Sequence, residues 1–276
     1  MNCVFLIRFS AVIKMVKITL ASPKVHLIFI LKILHCIPYS ERMSELIEKI
    51  HYKELSLMNF EENYAGKKPL IITGLVDSWP SRDWDTDYLQ SNYGEREIII
   101  RKSGYDQEKK FYKSKLGKFI GILNDNPEKL YCDWPFSIMG NEDLESYFES
   151  PSLFNHNTIK TKNNKKLKWI FLGSVGTGTP IHQDFEKSHN WNAVVFGQKK
   201  WIFFSPDDTE YVKDLKHDLF DLDLKEDSTF KYTKPYIVDQ FSGELMYTPK
   251  NWWHTVRNIK TSFSVSENFW YKDEKE

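Results

Sequence analysis

Cysteine is scarce in this chain: of 276 residues only Cys3, Cys36 and Cys132 are cysteines. None forms a Cys-x-x-Cys pair, which argues against a disulfide framework and a thiolate metal cluster and for a reducing compartment, cytoplasmic or, in a eukaryote, nuclear. Any metal centre must therefore use histidine and carboxylate. Net charge is lacking too. The 38 Lys and Arg balance the 38 Asp and Glu, so no global basic field attracts nucleic acid. Long uninterrupted apolar runs are also missing. In the first forty residues Arg8, Lys14, Lys17, Lys24 and Lys32 break the apolar stretches too often for a membrane span. What the chain does have is core-forming material, at 41% hydrophobic and 15% aromatic residues with nine Trp.

Residues 1–42 form a basic, apolar extension with no acid before Glu41, which leaves the remainder net acidic. Three readings compete for it: a targeting or membrane-surface segment, an extension of the fold, or translated sequence upstream of a true start at Met43. The last is preferred, because "MSELIEKIHYKELSLMNFEENY" reads as an ordinary domain opening. Residues 43–166 are then expected to make an α/β part and residues 167–276 a β-rich core.

Residues 43–66 carry helical apolar spacing, and "KKPLIITGLVDSW" reads as a buried strand ending in a glycine turn. "TDYLQSNYG" and "KSKLGKFIGILNDN" predict helices; "EREIIIRKS" and "KLYCDWPF" predict strands. From 167 onward short β-rich runs follow one another, punctuated by turn signals. The pattern is mainly β with flanking helices and points to a cupin or jelly-roll barrel. "HNTIKTKNNKKLK" reads as a solvated basic loop, and residues 207–227 as an acidic insertion between strands.

One short motif carries chemistry. In "TPIHQD", His182 and Asp184 stand at i and i+2, so on a strand both point to one face. Two ionisable groups on a half-buried face are costly unless something binds them. His254, in "YTPKNWWHTVRN", is the candidate third ligand, where a later strand returns to the same mouth. Two histidines and one carboxylate on a triangular face suit non-haem Fe(II) with open positions, whereas zinc favours a tetrahedral site. A lone His-x-Asp is common by chance, and a Trp-flanked histidine is more often a core residue. The joint pattern raises the odds: a Gly-Thr turn before His-x-Asp, then Gly-x-Lys in a hairpin, then Pro-x-x-Trp-Trp-His.

With these residues in hand, the chain resembles the JmjC group of Fe(II)- and 2-oxoglutarate-dependent oxygenases. It is most similar to the small JmjC protein hydroxylases, around the lysyl hydroxylase branch named for the phosphatidylserine receptor. The resemblance covers residues 55–272 through "KPLIITGLVDSWPSRDW", "GTGTPIHQD", "WNAVVFGQKKWIFFSP", "YTPKNWWHTVRN" and "SVSENF". It implies a double-stranded β-helix with an N-terminal α/β elaboration, and His182, Asp184 and His254 as iron ligands. It implies Lys199, not Lys200, as anchor for the far carboxylate of 2-oxoglutarate, with Thr179 and Tyr131 adding hydroxyls. Asn192 matches an amide near the co-substrate, Ser266 stands where the nearest branch has Thr, and Asn268 supports the ligands. Trp191, Trp201, Trp252 and Trp253 read as packing residues. His189 and His217 read as loop histidines, and Asp133 and Asp239 as turn or solvated acids.

The implied reaction consumes 2-oxoglutarate and O₂ and hydroxylates a side chain of a protein or peptide, releasing succinate and CO₂. The acidic insertion is expected to favour a basic substrate segment. The same core could act as an N-methyl lysine or arginine demethylase. A non-catalytic cupin-like binding module is the alternative from another class, against which the intact triad and Lys199 argue. The chain ends soon after its last strand, without the C-terminal helices some relatives use to dimerise, so a monomer is expected.

Overall fold

A computed structural model describes residues 3–9, 12–18, 46–103, 110–154, 159–160, 164, 166–222, 224, 230 and 232–271. The chain divides into two compact units, Met1–Met43 and Ser44–Glu276. In the first, β1 (Cys3–Phe9) and β2 (Val12–Ile18) pair antiparallel, with Cys3 opposite Ile18. The rest of the basic extension lies outside the described residues.

The second unit is mostly β. Its strands are β3 (Lys49–His51), β4 (Leu70–Thr73), β5 (Glu97–Lys102), β6 (Phe111–Lys115), β7 (Leu130–Trp134), β8 (Lys168–Gly173), β9 (Gly178–His182), β10 (His189–Phe204), β11 (Tyr236–Phe241), β12 (Leu245–Thr248) and β13 (Trp253–Phe269). The hydrogen-bonded order is β3-β4-β12-β10-β13-β8-β7-β5-β6, with β11 added to β10 and β9 added to β13. Among the described residues this ladder does not close into a barrel.

The two long strands explain the architecture. The first half of β10, Asn190–Ala193, pairs β12, while its second half, Gln198–Phe203, pairs β11. Correspondingly, Ser262–Glu267 of β13 pairs β8, and His254–Arg257 pairs β9. The halves of β10 and β13 thus belong to two sheets that share a bend, a jelly-roll arrangement. At the bend the β10–β13 register slips between Val194 and Phe196, Phe196 and Gln198, and Gln198 and Lys199. Gly197 sits there at φ 97°. A Cβ on it would lie 2.3 Å from the Thr261 carbonyl oxygen, so only glycine permits the close approach.

Several expectations need correction. The Gly-x-Lys segment is not a hairpin, and "HTVRNIK" and "SFSVSENFWY" are not separate strands, because bulges let each chain bend without ending its ladder. The expected helix over 43–66 shrinks to α1 (Leu57–Asn63), capped by Ser56 Oγ, which accepts from Asn59 N at 3.1 Å. Lys49–His51 instead pairs parallel with β4. The helix α2 (Thr86–Tyr93) forms as expected, capped by Asp85. Of the second expected helix only α3 (Leu116–Ile120) is helical, preceded by β6. Lys168, where the basic segment runs into the expected strand "LKWIFLGS", opens β8 and is buried beside Glu267 at 3.7 Å.

The main apolar cluster buries Phe60, Trp79, Trp134, Phe148, Trp191 and Phe263. No helix among the described residues is long and apolar enough to cross a membrane.

Candidate metal and co-substrate site

His182, Asp184 and His254 converge. One ligand atom of each lies within 4.8 Å of the others. β9 delivers His182 at its end, directly opposite His254 on β13. Asp184 follows in extended backbone, two residues on. The β9–β13 register steps from His254/His182 to Val256/Thr179. That three-against-two step is a bulge, and it turns Thr179 and His182, which an unbroken strand would send to opposite faces, into the same pocket.

The tautomers follow from the backbone. His182 Nδ1 lies 2.8 Å from the Pro180 carbonyl oxygen, and His254 Nδ1 lies 3.1 Å from that of Trp252. A carbonyl only accepts, so each Nδ1 carries the proton and each Nε2 carries the lone pair. His254 Nε2 faces Asp184 Oδ2 at 3.9 Å. Burial lowers the His254 pKa to about 4, so this ring is neutral at neutral pH. Burial raises the Asp184 pKa, opposed by the His182 ring and by a hydrogen bond from Asn268. Asp184 Oδ2 is buried without a hydrogen-bond partner. An orphaned carboxylate oxygen between two imidazole lone pairs asks for a cation. These residues fit a divalent metal ion.

The pocket runs inward from this cluster, a cavity of about 50 Å³. Phe171, Trp201 and Val256 form apolar wall, and Asn190, Asn192 and Ser266 line another side. At the far end stands Lys199, 1% exposed. Its Nζ donates to Asn258 Oδ1 at 2.9 Å and to Tyr131 Oη at 3.3 Å. Both partners are neutral. Burial lowers the Lys199 pKa to about 7, and no carboxylate among the described residues opposes it. Burial likewise raises the Tyr131 phenol, which stays protonated. By contrast Lys200 points outward to Asp239 at 3.6 Å, each more than a third exposed.

The remaining candidates fall as follows. Asn192 Nδ2 donates to Ser264 Oγ at 3.5 Å, while its Oδ1 has no partner. Asn190 donates to Ser266 Oγ at 2.7 Å and to Asn268 Oδ1 at 3.2 Å. Trp191 and Trp252 are core, as read from sequence, and Trp253 packs against a side cluster. Trp201 does more than pack: its ring stands 5.9 Å from that of His254. His217 is exposed, but His189 is not in a loop. It opens β10, is fully buried, and its Nδ1 lies 2.8 Å from Tyr247 Oη.

Sequence reasoning missed Asn190, Asn258 and Arg101. Asn258 sits directly opposite Lys199 in the β10–β13 register, a relation invisible before the bulges are placed. Arg101 is buried behind the pocket wall, paired with Asp133 at 2.7 Å, which makes Asp133 an ion-pair partner rather than a turn acid. The described part of the acidic insertion is pinned down. Asp218 and Asp221 both pair with Arg257 of β13, Asp208 is mostly buried, and Glu210 pairs with Lys213. Asp223, Glu226 and Asp227 lie outside the described residues.

A bent two-sheet fold with a His-x-Asp and a distant His at one mouth defines a cupin-like metal-site class. The comparisons agree. The family model described as "Cupin-like domain" matches residues 56–276, and the chain belongs to that family. Several of the curated relatives it matches carry JMJ or JMJD names. It is 28% identical over 77% of its length to "Arginine-specific demethylase JMJ22" of Arabidopsis thaliana. It is 26% identical over 72% to "2-oxoglutarate and iron-dependent oxygenase JMJD4" of Mus musculus. It is 24% identical over 81% to "Bifunctional arginine demethylase and lysyl-hydroxylase psr-1" of Caenorhabditis elegans. The chain spans 43%, 54% and 61% of those three proteins, about half their length.

Proposed function

We propose that this chain is an Fe(II)- and 2-oxoglutarate-dependent oxygenase that hydroxylates a side chain of a protein or peptide. The observation that carries the reading is the pairing of two deficits in one pocket. Two imidazoles flank an orphaned carboxylate oxygen at one end, and a buried ammonium with no anion beside it among the described residues stands at the other. A metal ion and a dicarboxylate correct both.

His182, Asp184 and His254 would hold Fe(II) on one triangular face, which leaves positions for a chelating 2-oxo acid and O₂. When bound, the iron supplies the redox chemistry that couples O₂ and 2-oxoglutarate to C–H oxidation, with succinate and CO₂ as co-products. The protein's part is positioning. Pro180 O and Trp252 O hold the two imidazoles in the tautomer that presents Nε2. Lys199 neutralises the far carboxylate, and Tyr131 and Thr179 offer hydroxyl groups to it. Trp201, Phe171 and Val256 exclude water around the chelate, which strengthens each of these interactions. Asn192 Oδ1, Asn190 and Ser266 supply polar atoms on the side wall.

The relatives' names mention arginine demethylase and lysyl hydroxylase activity, which supports a basic residue of a protein as target and keeps N-methyl demethylation as the second reading. Of the described acidic insertion, Asp207 and Asp214 remain exposed to receive such a segment. The cysteine usage supports a cytoplasmic or nuclear setting. The test is formation of succinate from 2-oxoglutarate in the presence of Fe(II), O₂ and a library of Lys/Arg peptides. A peptide gaining one oxygen supports hydroxylation. Formaldehyde from methylated peptides instead moves the second reading forward. Absence of succinate with iron-loaded, folded protein on every peptide, and without peptide, contradicts both.

A further inference from the structure

Behind the pocket wall lies a charged group that the site chemistry does not itself use. Arg101 of β5 is 4% exposed. Its Nε donates to Asp133 Oδ2 of β7 at 2.7 Å, which neutralises it locally. Its Nη2 donates to Thr179 Oγ1 at 3.1 Å, and both terminal nitrogens approach the Gly178 carbonyl oxygen at 3.4 Å. Its guanidinium stands 5.1 Å from the centre of the Tyr131 ring, and Lys199 Nζ stands 5.7 Å from the same centre. One fork thus touches Thr179 and Tyr131, two of the groups at the far end of the pocket, without lining the pocket itself.

The chemistry of a hydroxyl makes this contact directional. Thr179 Oγ1 accepts a hydrogen bond from Arg101, so its own O–H is turned away from the cation. Thr179 lines the pocket. A threonine whose hydroxyl rotates at will spends part of its time presenting a lone pair, which repels a carboxylate. A threonine held by a guanidinium has one lone pair occupied, which biases its hydroxyl toward donating. Arg101 is itself fixed by Asp133, so the chain Asp133–Arg101–Thr179 is preorganised before any ligand arrives.

We propose that Arg101 and Asp133 form a positioning pair that biases the Thr179 hydroxyl toward donating and so makes the far end of the pocket selective for a carboxylate. The proposal rests on the 2-oxo acid reading of the pocket and names a role in it for two residues that line no part of it. Two 2-oxo acids separate the far end from the metal end. Both 2-oxoglutarate and 2-oxopentanoate carry the same chelating head, but the second ends in a methyl group.

The experiment is calorimetric titration of Mn(II)-loaded protein with each acid. The proteins are wild type, the double variant Arg101→Gln/Asp133→Asn, and Thr179→Val. The double variant keeps an amide pair in place of the ion pair, so no buried charge is orphaned. Wild type is expected to favour 2-oxoglutarate strongly. Each variant should lose about tenfold in 2-oxoglutarate affinity, the scale of one charge-assisted hydrogen bond, with 2-oxopentanoate affinity unchanged. Equal weakening of both acids in the double variant would reduce Arg101 to a strut between β5, β7 and β9 and overturn the proposal. So would undiminished preference in Thr179→Val, a near-isosteric change that serves even if the double variant does not fold. A wild type with no preference between the acids would fail the 2-oxo acid reading itself, a distinct result.

Discussion

The two ends of the pocket are built on opposite principles. At the mouth, His182, Asp184 and His254 bring together lone pairs and a carboxylate with no cation among them. At the far end, Lys199 brings a cation with only the neutral Asn258 and Tyr131 for company. Elsewhere in the described molecule two buried ion pairs are matched, Arg101 with Asp133 and Lys168 with Glu267, and the buried carboxylate of Asp208 accepts a hydrogen bond from Ser205 Oγ at 3.3 Å. A fold selected only for stability would match these two ends as well, since burying uncompensated charge costs several kcal/mol, on the order of 3–5 for a broken pair. The mismatch therefore marks where ligands complete the structure, and its polarity says which kind belongs at each end.

The largest effect is expected at the mouth. His182→Ala or Asp184→Ala should abolish stoichiometric Fe(II) binding and with it all turnover, a loss of at least ~100-fold judged against the smaller effects of supporting residues. Metal analysis after desalting checks it. Retained stoichiometric iron would break the comparison at that end.

Next comes Lys199. Lys199→Met should weaken 2-oxoglutarate by roughly 100-fold while iron still binds, as expected for removing one partner of a buried charge pair. Calorimetry with 2-oxoglutarate reads it. The same change should stabilise the ligand-free protein, because it removes a desolvated charge that has no anion. The pH dependence sharpens the point. Burial lowers the Lys199 pKa to about 7, against about 10.4 in an unfolded chain. Between those values the unfolded chain binds more protons, so this group's contribution to stability rises with pH from about 7 to about 10. Denaturant midpoints at pH 7 and pH 9 should show a gain in wild type that shrinks in Lys199→Met.

The smallest effect is expected at the neighbouring lysine. Lys200→Ala removes a half-exposed partner of Asp239, worth about 0–1 kcal/mol, and should leave 2-oxoglutarate affinity unchanged within a factor of two. A loss comparable to that of Lys199→Met would erase the distinction between the two side chains.

Much of the site was legible because its residues cluster in short motifs. His-x-Asp needs only period-two geometry, and the Gly-Thr and Pro-x-x-Trp-Trp-His segments flank it at recognisable spacing. The facing of Lys199 was not legible from periodicity. Asn190 and Asn192 face the pocket from one parity of β10, yet Lys199 and Trp201 face it from the other, because the bulges around Gly197 shift the count. Thr179 raises the same problem on β9, where a bulge places it beside His182. Bulges leave almost no sequence signal beyond an isolated glycine, so side-chain facing beyond them follows from pairing, which is a property of two strands at once. Arg101 escaped for a related reason: nothing in "EREIIIRKS" distinguishes a strand-end arginine in solvent from one buried against Asp133. The helical spacing near residues 43–66 misled because three residues there pair in parallel with β4, a long-range contact that outweighs local propensity.

The most direct measurement needs no knowledge of the protein substrate. Apo-protein reconstituted with Fe(II) under strict anaerobiosis is titrated with 2-oxoglutarate, alongside Asp184→Ala, and the weak visible charge-transfer absorption of a chelated 2-oxo acid is followed. The account predicts a band that grows and saturates in wild type and never appears in the variant. No band in wild type, with the protein folded and iron bound, would contradict it, and His182, Asp184 and His254 would then hold a metal for other chemistry.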